Sequence, residues 1–271
     1  MCRYAIPFPP VMTLSDPNDI LTPDAVDRAL LAAADPAYKA FGDALQPGIT
    51  DRIGVRMPVV RRLARDVVRG DVARYLDEAL KRPCASQEAL MVLEIVVGAA
   101  KGLAPSERLA YADRLLPRLN GWATCDLMGS ALKLFREDLA GYLPYVEAKL
   151  ADENPWIVRT AEVWLLEHYR TPEGLPLALA ALDASSSRAL PLAASGDYYL
   201  SMALAWCLSM LAVVDMEAVN DRIAAWRQTA RLDDATLART VRKIRESRQF
   251  TPEVKDAVGA RWMPNRRSSA R

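Results

Sequence analysis

Apolar residues recur along this chain at three- and four-residue spacing, the period of helices with one buried face. Alternating apolar and polar runs, which would signal strands, are scarce. Alanine, leucine and arginine dominate, all good helix formers, and Pro, Gly or Asp-Pro punctuation returns roughly every fifteen to twenty residues. The pattern predicts helices over 23–33, 36–45, 58–69, 71–81, 85–101, 105–117, 122–135, 137–150, 155–169, 173–183, 197–213, 215–229, 234–246 and 251–262.

Taken in pairs, these helices give units of roughly thirty to forty residues, the size of a HEAT-like helical repeat, although no strict sequence period is visible. The expected fold is all-α: an α-solenoid of stacked, antiparallel HEAT-like repeats with a concave face suited to something long. Residues 1–22 read as a Pro-rich N-terminal extension, 23–262 as a single repeat domain and 263–271 as a basic, disordered tail.

One stretch departs from plain amphipathicity. Asn120-Gly121 punctuates the chain just before Trp122, so a helix begins there. On a helical wheel Trp122, Asp126, Gly129 and Lys133 share one face, while Leu127, Ala131 and Leu134 form the expected core stripe. A tryptophan and a carboxylate one turn apart then project away from the core, and Gly129 leaves the backbone open on the next turn. The plainer alternative is that Asp126 caps a neighbouring element and Trp122 fills a gap between helices.

Composition narrows the chemistry. With 271 residues and a formal net charge of +1, the chain has material for a large core but no global electrostatic case for nucleic acid. Any anion-binding surface must come from uneven charge. Cys2, Cys84, Cys125 and Cys207 show no metal-ligand spacing, and the one histidine, His168, cannot complete a His-rich site, so no metal or other cofactor is expected. The apolar run from Ala203 to Val214 is too short to span a bilayer, and no signal peptide is visible. The economical expectation is a cytoplasmic, reduced, monomeric protein.

Positive charge gathers in two regions. Arg52 and Arg56 flank Gly54, and Arg61, Arg62, Arg65 and Arg69 follow on the helix opened by Pro58. Free backbone N–H groups and guanidinium forks at such a helix start suit a phosphate. Near the other end Arg239, Arg242, Lys243, Arg245 and Arg248 share one predicted helix, and Arg261, Arg266, Arg267 and Arg271 follow. Merely solvated arginine faces are the competing reading. Elsewhere, Arg159 points away from the stripe Ile157, Ala161, Trp164 and Leu165, with an ion pair to Glu162 as the alternative. Tyr199, Met202, Trp206 and Met210 fall at helical spacing, which on periodicity alone reads as core.

Five of these segments together resemble the AlkD-like DNA alkylation repair family, in order and spacing, over residues from about 35 to 260. They are Gly54-Val55-Arg56-Met57-Pro58 with Arg62-Leu63-Ala64; Asn120-Gly121-Trp122-Ala123-Thr124-Cys125-Asp126; Trp156-Ile157-Val158-Arg159; Tyr198-Tyr199 with Ala205-Trp206; and Lys243-Ile244-Arg245-Glu246-Ser247 before Phe250-Thr251. The Trp-Ala-Thr-Cys-Asp form is similar to a divergent bacterial branch. Cys207-Leu208-Ser209-Met210 stands where active relatives carry a charged arginine-glutamate end.

The resemblance implies a basic concave face that grips duplex DNA carrying alkylated bases. It implies a glycosylase that releases cationic purines such as 3-methyladenine and 7-methylguanine without flipping the base. It places the catalytic aspartate on Asp126, the paired tryptophans on Trp122 and Trp206, and a DNA-backbone contact on Arg159; from the charge clusters, Arg56, Arg62, Lys243 and Arg245 are expected to contact the DNA backbone as well. It also overrides the core reading of Trp206. An already cationic base leaves neutral and needs no protonation, so one carboxylate suffices where ordinary glycoside hydrolysis needs two. The alternatives are a non-catalytic binder of damaged or branched DNA and a helical protein-protein scaffold.

Overall fold

The structure, a computed structural model, describes residues 22–185 and 198–262. The expected extension and tail, and with them Cys2, Arg266, Arg267 and Arg271, lie outside the described residues. All regular structure among the described residues is helical, and the chain divides into two compact units, Met1–Leu132 and Lys133–Arg271.

The first unit holds α1 (Pro23–Ala32), α2 (Pro36–Leu45), α3 (Met57–Val68), α4 (Val72–Ala79), α5 (Gln87–Ala99), α6 (Pro105–Leu115) and α7 (Trp122–Ala131). Local chemistry starts these helices. Thr22, Asp35, Asp71 and Ser86 each accept a backbone N–H of the first turn, and Pro23, Pro36 and Pro105 occupy first helical positions. Each such cap contributes about 1 kcal/mol, and proline there sacrifices no hydrogen bond. Packing does the rest. Helices α3, α5 and α7 lie side by side, and α5 is buried on nearly every face from Gln87 to Val97. The α5–α7 approach is close because Gly98 carries no side chain: a Cβ there would collide with the Ala131 carbonyl.

The second unit holds α8 (Leu139–Leu150), α9 (Pro155–His168), α10 (Gly174–Ser185), α11 (Tyr198–Leu211), α12 (Met216–Gln228), α13 (Asp234–Glu246) and α14 (Pro252–Trp262). Here α9, α11 and α13 pack in a row, with α8 against α9 and α10 against α8. Rows made of every second helix are the arrangement of stacked helical-pair repeats. Phe135 anchors this core, its ring centroid 5.0 Å from that of Trp164 and 5.7 Å from that of His168. His168 is itself buried and accepts at Nδ1 from Arg136 Nε at 3.0 Å.

One predicted helix is cut short. The run expected over 122–135 leaves α geometry at Leu132, whose ψ is 69°, and resumes as a 3-10 turn over Lys133–Glu137. Leu132, Leu134 and Phe135 are all buried, and a continuous helix would have spread their side chains around its axis. The break lets Leu132 fill the first unit and the other two fill the second.

Candidate functional site

In the first unit, Trp122 and Asp126 lie one turn apart on α7 and are both half-buried. They line one cleft of about 350 Å³, together with the end of α2 and the starts of α3 and α5. The Trp122 indole donates from Nε1 to the Leu45 carbonyl at 3.2 Å, which fixes the ring's tilt at the rim. Tyr38 and Phe41 from α2 face the same space, their rings nearly parallel with centroids 6.3 Å apart.

The core stripe expected on α7 is corrected. Leu127 is half-buried and lines the cleft with Asp126, while Thr124, Cys125, Met128 and Gly129 face the interior. Gly129 is therefore closed off, and no backbone lies open there. The whole of α7 is apolar or small apart from Asp126, so periodicity could not choose between its two apolar sides.

The cleft's floor was missed by sequence reasoning. Gln87 and Glu88 open α5 and are almost fully buried. Glu88 accepts the backbone N–H groups of Ile53, Gly54 and Val55 at 3.1, 2.8 and 3.1 Å. A resident carboxylate thus takes the backbone donors around Gly54, just upstream of the helix start where a phosphate was expected. Gly54 is nonetheless required: its φ is +85°, and a Cβ would strike the Asp35 carbonyl. The signal was available in principle, since Gln-Glu at the head of a helix that is apolar but for Glu94 has no polar face to occupy and must be buried with partners.

Arg56 and Arg62, expected on the DNA backbone, are engaged locally. Arg56 is exposed, pairs with Asp35 at 3.1 Å and lies over the Tyr38 ring at 4.6 Å. The Tyr38 amide, and after it the Arg56 guanidinium, hold the Asp35 carboxyl below its usual range. Arg62 sits 4.0 Å from Asp66. Neither Arg56 nor Arg62 lines the cleft, whereas Arg52 and Arg61 do.

In the second unit the expectation for Arg159 is corrected. Its side chain is only 4% exposed, and Nη1 donates to the Tyr199 carbonyl at 2.7 Å. The wheel misplaced it because α9 is buried on almost all sides, so no direction leads outward. Periodicity also misread α11, where Tyr199, Met202, Trp206 and Met210 are half-exposed while Leu200, Ala203, Leu204, Cys207 and Leu208 fill the core. The Trp156 and Tyr199 rings meet at 5.4 Å beside this stripe. On α13, Lys243 is half-buried, and Arg245 is exposed with Nε 3.5 Å from the Lys255 carbonyl.

Among the described residues, no three His, Cys, Asp or Glu side chains gather as a metal site requires, and no helix is long and apolar enough to cross a membrane. Neither curated proteins nor solved structures yield a match to the chain. A family model does, that of the DNA alkylation repair enzymes, over residues 26–244. The matched span contains α7 and its cleft, α9 and the exposed stripe of α11. This chain belongs to the DNA alkylation repair enzyme family.

Proposed function

We propose that the protein is a DNA glycosylase that hydrolyses the N-glycosidic bond of cationic alkylated purines, of the 3-methyladenine and 7-methylguanine type, in duplex DNA. Membership of the family gives it a role in the repair of alkylated DNA. The observation that carries the finer reading is the pairing of Asp126 with the Trp122 indole on one cleft wall.

The chemistry asks little of the protein. An N3- or N7-alkylated purine carries positive charge, so the bond to C1′ breaks with both electrons going to the base, which leaves neutral. Positive charge then develops on the sugar. Asp126 stabilises it through space and orients the water that adds to C1′, taking or relaying the proton that water loses. The Trp122 ring offers a π face to the same charge, a contact of about 0.5–2 kcal/mol. Trp206 offers a second half-buried indole for DNA contact. Arg56, Arg62, Lys243 and Arg245 serve the sugar-phosphate backbone, and Arg159 acts behind α11, through Tyr199.

The test is release of free base from methylated duplex DNA. We expect release by the wild type, and a loss of about a hundredfold or more in Asp126→Asn, the scale of removing one preorganised electrostatic group. Salt-dependent DNA binding without any release would instead mark a non-catalytic binder. The absence of salt-dependent binding would point to a protein scaffold.

A further inference from the structure

We infer that helix α2 is an apolar wedge that enters the minor groove of the damaged duplex, where Phe41 and Leu45 unstack a base step and bend the DNA over the cleft. The inference rests on the proposed reading for its substrate, duplex DNA, and goes beyond it in saying how that substrate is opened.

Helix α2 leaves its apolar side uncovered. Of its ten residues only Gly42 is buried, and a Cβ there would run into the Arg52 guanidinium, so the helix is held through its one residue without a side chain. Tyr38, Phe41 and Leu45 stand at i, i+3 and i+7 and share one face. Phe41 is 62% and Leu45 52% exposed, two of the four most exposed large apolar side chains among the described residues. Exposed apolar patches rimmed by polar groups mark contact surfaces. This one is also preordered: the Arg56 guanidinium lies 4.6 Å from the centre of the Tyr38 ring, and Tyr38 in turn stacks on Phe41 with the rings 25° from parallel. Side chains already held in place lose little freedom on contact.

Charge and position identify the partner. On α3, Arg61 and Arg65 are exposed one turn apart, and neither forms an ion pair among the described residues. Arg61 lines the same cleft as Phe41, Leu45, Trp122 and Asp126. On α2 itself Lys39 and Asp43 pair at 2.6 Å and add no net charge. Cations beside an apolar edge match DNA, whose phosphates take the guanidinium groups while its bases take the apolar side chains.

The wedge is joined to the cleft wall. The Leu45 carbonyl accepts the Trp122 indole N–H at 3.2 Å, which ties the tip of α2 to the helix that carries Asp126. In B-form DNA the minor groove, which gives access to C1′, is about 6 Å wide, narrower than the roughly 10 Å of a helix with its side chains. Apolar side chains inserted between base steps kink the duplex toward the major groove and so open the minor one. Asp126 and its water can then approach C1′ while the damaged base stays in the helix.

The experiment uses the full chain and a short duplex with a central 2-aminopurine and a donor and acceptor dye at its two ends. At saturation the wild type is expected to brighten the 2-aminopurine as it unstacks and to raise energy transfer as the ends approach. The double variant Phe41→Ser with Leu45→Ser is expected to bind about tenfold more weakly, the scale of losing one base contact. At its own saturation it should leave the duplex straight and dark. Both side chains are exposed, so its melting temperature should match the wild type. Arg61→Ala should lower the salt dependence by about one counterion and keep the bend at saturation. A saturated duplex that stays straight and dark with the wild type, or a double variant that bends it equally, overturns the inference. So does a wild-type dimer that the double variant turns into a monomer, which would assign the α2 face to a second copy. Bending without base release from methylated DNA sinks the glycosylase reading and leaves the wedge standing, whereas release from a straight duplex sinks the wedge alone. No binding to duplex DNA overturns both.

Discussion

Helices α7 and α11 each present a half-buried tryptophan, yet their surroundings differ in kind. Around Trp122 the first unit supplies a carboxylate one turn away, a fixed indole N–H and a recess with a polar floor. Around Trp206 the second unit supplies a strip of Tyr199, Met202 and Met210, backed by a buried arginine that grips the Tyr199 carbonyl. The first arrangement can act on charge and hydrogen-bond patterns. The second offers contact area and little chemistry. A tryptophan at helical spacing therefore says nothing about role until its neighbours from other helices are known.

The sharpest way to break this comparison is to remove the floor of the first region. Glu88→Ala strips three backbone N–H groups of their acceptor, and hydrogen bonds to a charged group are worth about 1.5–3 kcal/mol each, only part of which is lost if water enters. A fall in unfolding free energy of about 3 kcal/mol by urea denaturation is expected. A change near zero would mean that the carboxylate is not organising the 53–55 segment.

The equivalent test in the second region is Arg159→Met, which leaves the Tyr199 carbonyl without its donor. A loss of about 1–3 kcal/mol is expected in the same assay, with weaker DNA binding in the folded variant. Unchanged stability with weakened binding would favour direct phosphate contact over bracing from behind.

Glu94 offers a pH test confined to the first unit. It is fully buried on α5, with neither oxygen partnered among the described residues, and burial pushes its carboxyl well above the usual range. The folded state thus keeps a proton that the unfolded chain gives up as pH rises through the ordinary glutamate range. Stability falls with rising pH over that window. Glu94→Leu should stabilise the protein at pH 8 by on the order of 1–3 kcal/mol and much less at pH 4, as thermal melts at the two pH values would show. Equal gains at both would mean that the group is already ionised in the fold.

The smallest effect on stability belongs to Trp206→Ala. Because Trp206 is only partly buried, its loss is expected to fall below the about 3–5 kcal/mol of Trp164→Ala in the core, while DNA binding should weaken only in the former. A large loss from Trp206→Ala would return that residue to the interior, where its periodicity alone had put it.

What the sequence determined by itself was local. Helix starts are written in short-range chemistry, an Asp, Ser, Thr or Asn followed by a first turn that needs its acceptor, often with proline beside it. Predicted and observed boundaries therefore agree closely, as for α2 at 36–45 and α13 at 234–246. The five separated segments also sufficed for the family, since order and spacing survive without geometry.

Which face of a helix turns inward was decided only by tertiary structure. In α7 and α11 apolar or small residues run nearly all the way round, and α9 buries even its Arg159, Glu162 and His168, so the 3.6-residue period carries no direction. Leu127 came to the cleft, Gly129 and Arg159 to the interior and Trp206 to the surface because of what neighbouring helices had left to cover. The same holds for the Glu88 floor, where a carboxylate meets the 53–55 backbone more than thirty residues away in the chain. Burial is a property of pairs of elements, and a single chain read in order contains only one member of each pair at a time.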